Sequence, residues 1–162
     1  MKIRRIIIWV TFIAAGLDIV SKQVALKNLG SEPKRLIGSF LQLHLLFNSG
    51  AAFSFAPSAT YIFSIISLSI GGATVYFSRK ITSQAWAYVA GLILGGIIGN
   101  TLDRLFRPPG FLRGEVVDWI QLPHWPTFNL ADSSIFVAAA IACILTYRNI
   151  HPTQSNNSPK QN

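Results

Sequence analysis

The chain has 162 residues, 51% of them apolar and only 12% charged, about half the charge of an ordinary soluble domain. With a mean hydropathy of +0.43, this excludes a disordered acidic chain, a typical soluble globule and a disulfide scaffold, and makes a bilayer the solvent of one domain. The net charge of +8 comes from 14 basic and 6 acidic residues; the basic residues cluster beside apolar runs, as membrane flanks do, so no nucleic-acid partner is expected.

A bilayer crossing takes about 20 mostly apolar residues, and four stretches qualify, at about 6–21, 61–78, 84–102 and 130–147. The first follows Lys2, Arg4 and Arg5 and holds Asp18 near its end. Its basic start and Ala14-Ala15-Gly16 also fit a cleavable secretory signal. Asp18 and Lys22 directly afterwards belong to a motif treated below, so the segment is read as retained. The loop that follows contains Leu41-Gln42-Leu43-His44-Leu45, whose alternation is that of a half-buried strand; a small amphipathic sheet on the membrane surface is expected. The second stretch is free of charge and ends at Arg79-Lys80, and the third ends at Asp103-Arg104. A second loop begins with the turn signal Pro108-Pro109-Gly110. It continues through Val116-Val117-Asp118-Trp119-Ile120 and Pro123-His124-Trp125-Pro126, whose Trp residues suit the membrane interface. The fourth stretch closes at Arg148, and residues 149–162 read as a polar disordered tail. Cys143 has no partner for an internal disulfide, and His44, His124 and His151 form no zinc signature. No metal or cofactor is expected.

Four spans place both termini on one face. Lys and Arg divide seven against seven between the two faces, but the triple basic start favours a cytoplasmic N-terminus. Glu32 and Glu115 read as solvated loop charges. The other four acids, Asp18, Asp103, Asp118 and Asp132, fall on one face of the membrane, opposite the termini. A carboxylate at lipid depth costs several kcal/mol unless paired or wetted. Asp18 with Lys22, or Asp103 with Arg104, could be structural ion pairs, whereas Asp118 and Asp132 have no basic neighbour within three residues. Two close carboxyls share a proton. The ionised member takes a proton from water and the protonated one donates to a carbonyl oxygen, which is general acid–base hydrolysis without a covalent intermediate. Asp132, in the first turn of a helix, suits the anion. Ser133 and Ser134 read as capping residues. Ser21-Lys22 as a nucleophile–base pair is disfavoured, because adjacent helical side chains point about 100° apart. A proton-coupled carrier using the same acids finds no repeat or broken helix to support it, and a scaffold for other membrane proteins needs no acids at all.

Five blocks stand in order: Asp18-Ile19-Val20-Ser21-Lys22; Asn48-Ser49-Gly50-Ala51-Ala52-Phe53-Ser54; Gly95-Gly96-Ile97-Ile98-Gly99-Asn100-Thr101-Leu102-Asp103-Arg104; Val116-Val117-Asp118-Trp119-Ile120; and Phe128-Asn129-Leu130-Ala131-Asp132-Ser133-Ser134. Over about residues 8–147 the chain resembles the lipoprotein signal peptidase (signal peptidase II) family. The resemblance implies an all-α membrane protein with a small β element: four transmembrane helices within 1–148 and an extracytoplasmic β-cradle. It implies a monomeric aspartyl endopeptidase of the bacterial inner membrane, with cytoplasmic termini and an extracytoplasmic active site. Such an enzyme removes signal peptides from prolipoproteins just before the diacylglyceryl-modified cysteine, among membrane lipids as its other partners. Asp118 and Asp132 match the catalytic pair. Asn48, Asn100, Arg104, Asn129, Asp18, Asp103 and Lys22 match substrate-binding or dyad-supporting positions. Gly95, Gly96 and Gly99 are read as a close-packing helix face, and Phe47, Phe53 and Phe55 as packing the loop onto the bilayer.

Overall fold

The computed structural model describes residues 1–30, 32–50 and 59–153. In chain order these form α1 (Lys2–Asn28), β1 (Lys34–Ile37), β2 (Leu41–Asn48), α2 (Ala59–Ser78), α3 (Gln84–Phe106), β3 (Val116–Gln121) and α4 (Leu130–Tyr147). Among the described residues, three helical segments are long and apolar enough to cross a membrane: Thr60–Ser78, Gln84–Phe106 and Leu130–Tyr147. The chain is a multi-pass membrane protein. The first expected span is part of a longer helix, since α1 runs seven residues past 21 and carries Lys2, Arg4, Arg5, Asp18, Lys22 and Lys27 along its length.

The bundle is organised by α3. Its glycines at 91, 95 and 99 lie one turn apart, on one face, and bring α1 within backbone distance. A Cβ at Gly95 would stand 2.5 Å from the Ala14 Cβ and 3.0 Å from the Thr11 carbonyl oxygen. A Cβ at Gly99 would stand 2.5 Å from Asp18 Oδ2. Gly96 opens the adjoining face to α4, with the Ala131 carbonyl oxygen 2.5 Å from the position of its missing Cβ. Small residues allow this approach where lipid offers no hydrophobic drive for helix association. Between α1 and α3, Thr11 Oγ1 also donates to the Gly91 carbonyl at 3.2 Å.

The expected strand is present and longer, as β2, in an antiparallel three-stranded sheet of order β1-β2-β3. Leu41 to Leu45 are all half-buried rather than alternately covered. The register sets Leu46 opposite Asp118, Phe47 opposite Val117 and Asn48 opposite Val116, with an irregularity between Leu43 and Leu46. Since cross-strand partners share a face, Asn48 and Asp118 project to the same side. The second loop, taken from sequence only as a turn followed by interfacial residues, thus supplies a strand whose first three residues are buried. Phe128 then folds back, exchanging backbone hydrogen bonds with Ile120 at 2.9 Å in each direction. This closure carries the start of α4 to the Asp118 strand.

The tail expected from residue 149 begins with a docked segment. The Pro152 carbonyl accepts from Thr82 N at 2.9 Å, and the Ile150 carbonyl accepts from Trp86 Nε1 at 2.7 Å. Residues 154–162 lie outside the described residues, as do Phe53 and Phe55; Phe47 is exposed.

Gly96→Ala, which drives a methyl into the α4 backbone, is expected to destabilise the detergent-solubilised protein by about 1–3 kcal/mol. Gly72→Ala in α2, where nothing lies within 4 Å of the added carbon, is expected to be neutral or slightly stabilising. Thermal midpoints of the two variants decide it; equal midpoints contradict the packing account.

Candidate active site

Two carboxylates anchor the site from different elements: Asp118 on β3 and Asp132 in the first turn of α4. Asn129 is the N-cap of α4 and forms a capping box with Asp132. Asp132 N donates to Asn129 Oδ1 at 2.9 Å, and Asn129 N donates to Asp132 Oδ2 at 3.3 Å. Ser133 and Ser134, expected to help cap, instead donate back to the carbonyls of Asn129 and Leu130. The cap belongs to Asn129 because its side-chain oxygen reaches the third amide of the helix, the usual N-cap geometry.

With its oxygen committed to the cap, Asn129 can only donate from Nδ2. That nitrogen reaches Asp118 Oδ1 at 2.6 Å and Asn100 Oδ1 at 3.1 Å. Asn100, on α3, donates from its own Nδ2 to Asp132 Oδ1 at 2.8 Å. Asn48, at the end of β2, uses its Oδ1 to accept from Gly50 N at 2.8 Å and donates from Nδ2 to Asp118 Oδ2 at 2.8 Å. Each oxygen of both carboxyls therefore receives one N–H. The two acids are brought together through amides and not through a shared cation.

Asp118 is 2% exposed. Burial pushes its carboxyl up from the ordinary 3.8 to about 6; the Asn48 donor opposes the rise, the Asp132 charge adds to it, and the Asn129 donor opposes it again. Beside the pair stands Arg104 of α3, half-buried, within electrostatic reach of Asp118, Asp132 and Asp103. Its Nη1 is buried and has no hydrogen-bond partner among the described residues.

A second polar cluster lies beneath. Lys22 of α1, 1% exposed, pairs with Asp18 Oδ2 at 2.7 Å and with Asp103 Oδ2 at 2.8 Å. Asp18 Oδ1 accepts from Ala131 N at 2.9 Å and so joins α1 to the start of α4. Asp103 also binds Arg107 and accepts from Val117 N at 3.3 Å. The ion pair considered for Asp103 and Arg104 is absent; one turn on, Arg107 is the partner, since i and i+4 share a helix face. Neither Arg107 nor the Ala131 amide was singled out from sequence, although the i+4 spacing was there to read. Ser21 donates to the Asp18 carbonyl at 2.8 Å and faces away from the lysine cluster.

An apolar cavity of about 450 Å³ opens beside Asp132, lined by Leu122, Trp125, Phe128, Ser133, Phe136 and Val137. Asp132 at the wall of this cavity, linked through amides to the buried Asp118, can together with it move protons onto and off a bond presented from lipid. All nine site residues expected from sequence fall into this double cluster. The stretch Ala51 to Ser54 of the second motif block lies outside the described residues.

A family model described as signal peptidase (SPase) II matches residues 10–148. The lipoprotein signal peptidase of Leifsonia xyli subsp. xyli is 40% identical over 136 residues, 83% of this chain and 63% of that protein. That of Rhodococcus jostii is 38% identical, covering 87% of this chain and 74% of the other; that of Mycobacterium tuberculosis strain H37Rv is 40% identical, covering 88% and 71%. This chain thus spans under two thirds of the Leifsonia protein's length. Two solved structures, both described as a bacterial membrane enzyme, superpose with TM-scores of 0.78 and 0.73. They are 27% and 25% identical, cover 88% and 96% of this chain, and are each covered over 93% of their length.

Asn48→Ala removes a donor that favours the charged form of Asp118, so the titration midpoint of Asp118 is expected to rise above about 6, by about one pH unit. Carboxyl ¹³C shifts followed across pH measure it; a midpoint that stays or falls contradicts the assignment of Asn48.

Proposed function

The chain belongs to the signal peptidase II family, and on that premise we propose that it is an aspartyl endopeptidase of the membrane, with Asp118 and Asp132 as its catalytic pair. Its substrates are bacterial prolipoproteins, cut just before the diacylglyceryl-modified cysteine. The observation that carries this reading is the double amide bridge, Asn129 to Asp118 and Asn100 to Asp132.

Asp118, raised toward neutrality by burial, retains the proton that the pair shares. Asp132 sits at a helix N-terminus, accepts two N–H bonds and serves as the base of the pair. Asp132 takes a proton from water as the water oxygen attacks the scissile carbonyl carbon. Asp118 gives its proton to the carbonyl oxygen. The tetrahedral diol then collapses: Asp132 hands its proton to the departing amide nitrogen, the C–N bond breaks, and Asp118 recovers a proton from the diol. Protons balance over the cycle, and one water is consumed. Arg104, whose Nη1 has no hydrogen-bond partner among the described residues, binds a backbone carbonyl of the substrate. Asn48, Asn100 and Asn129 hold the pair in register, and Asp18, Asp103 and Lys22 support them from below. The cavity beside Asp132 receives an apolar part of the substrate.

In this reading α1 is a fourth span. Trp9, Phe12, Leu17 and Val20 are more than half exposed along it, which suits lipid contact, and its length of about 40 Å exceeds the bilayer core. Both termini then face the cytoplasm, and the sheet and the carboxyl pair lie at the opposite, extracytoplasmic surface.

Asp118→Asn and Asp132→Asn are each expected to lower cleavage of a diacylglyceryl-modified precursor by at least about 10³-fold while leaving membrane insertion intact. Incubation of the purified variants with precursor, following release of the signal peptide, checks this. Activity within tenfold of wild type in either variant removes the pair from the mechanism. Proton or solute flux in liposomes without cleavage would favour a carrier instead.

A further inference from the structure

The cluster beneath the carboxyl pair does more than neutralise charge. Lys22 has three N–H bonds to give. It meets Asp18 and Asp103 as ion pairs and donates a hydrogen bond to Asn100 Oδ1 at 3.0 Å. Asn100 donates from the other end of the same amide to Asp132 Oδ1. A primary amide turned by 180° exchanges its donor for its acceptor. Turned, Asn100 would set its oxygen against Asp132, an arrangement suited only to a protonated carboxyl, and its NH₂ against the ammonium of Lys22. An ammonium carries no acceptor, so Lys22 forbids that orientation. Asn129 Nδ2 also donates to Asn100 Oδ1, but Asn129 is an amide fixed in turn by the Asp132 backbone. Lys22 directly, and the Asp132 N–H through Asn129, are the donors that cannot reverse, and Lys22 is the charged one.

We propose that Lys22 is a positioning residue: acting through Asn100, it keeps a donor on Asp132 and thereby makes Asp132 the ionised member of the pair. This rests on the peptidase reading given above. The charged groups around the pair are Asp118 from β3, Arg104 and Asp103 from α3, Arg107 through its pair with Asp103, and Asp18 from α1. None of these but Lys22 donates to the Asn100 oxygen among the described residues.

The test compares wild type with Lys22→Met, with the charge-balanced Asp18→Asn/Lys22→Met, and with Lys22→Arg. The single Met variant strands the buried Asp18 carboxylate and is prone to unfold. The double variant removes one charge of each sign, leaves Asp103 with Arg107, and keeps an oxygen for the Ala131 amide. Three quantities are read: the thermal midpoint, the carboxyl ¹³C titration of Asp132, and the pH profile of kcat/KM on lipid-modified precursor. Loss of the Asn100 donor disfavours the anion. The double variant is therefore expected to remain folded and to raise the Asp132 midpoint by about one pH unit. The acidic limb of kcat/KM moves up with it, and kcat falls about tenfold with KM changed less than about threefold. Lys22→Arg, which retains donors, recovers part of each shift. A folded double variant with an unmoved Asp132 titration overturns the proposal. Unfolding of both Met variants overturns it too, because a residue needed by the fold alone requires no bond to Asn100. If wild type fails to cleave the precursor, the peptidase reading falls, while the ¹³C titration still decides the role of Lys22.

Discussion

One ammonium group, withheld from water between two carboxylates, ties the arrangement together. Lys22 and Asp18 come from α1 and Asp103 from α3. The free oxygen of Asp18 takes the first turn of α4 through the Ala131 amide, and Asp103 takes β3 through the Val117 amide. Four elements therefore meet on three side chains. Desolvating such a group costs several kcal/mol per ion, recovered only if every lone pair and proton finds a partner. Here the three charges meet as ion pairs, and removing the lysine leaves the buried Asp18 carboxylate without its counter-charge, an effect of about 3–5 kcal/mol. The close approach of α1 to α3 follows from the same need: any side chain at Gly99 would occupy the place of the Asp18 carboxylate.

Above that cluster the chemistry changes from cations to amides, and the difference has a consequence for acid–base work. A lysine bonded directly to Asp118 or Asp132 would favour the charged form strongly and strip the pair of its proton. A neutral N–H favours the anion more weakly. With Asn48 and Asn129 as donors, burial prevails at Asp118 and its carboxyl is held up to about 6. Arg104, a cation within electrostatic reach of both, makes no hydrogen bond to either carboxyl among the described residues. Amides thus fix geometry while leaving protonation open, and Lys22 beneath them bonds one of the three, Asn100.

Much of this was legible from residue types and spacing. The apolar runs located the helices, and the alternation at Leu41 to Leu45 located part of β2. The four acids at the ends of elements pointed to one face. The small residues at 95, 96 and 99 marked the packing face of α3, which the missing Cβ positions bear out. What was not legible depended on tertiary closure. Phe128 pairing with Ile120 brings Asp132 to Asp118, and no local pattern announces an isolated bridge. β3 was hidden because Val116, Val117 and Asp118 are buried together, so the strand does not alternate. Asp103 was matched with its sequence neighbour Arg104 when helix geometry favours Arg107. The length of α1 was underestimated because its second half trades lipid contact for the polar cluster.

Charge balance unites the two layers. Below, Asp18 and Asp103 carry two negative charges against the two positive charges of Lys22 and Arg107. Above, Arg104 lies within electrostatic reach of both Asp118 and Asp132, with Lys22 also acting on Asp118 from below. If both were ionised, one negative charge would be left over in a site from which water is largely excluded. A pair sharing one proton carries a single negative charge, which Arg104 offsets. Burial at Asp118, which holds its carboxyl up to about 6, works in the same direction as this charge balance. The singly protonated pair is the state the proposed hydrolytic cycle calls for, with one carboxyl to accept a proton from water and the other to give one to a carbonyl.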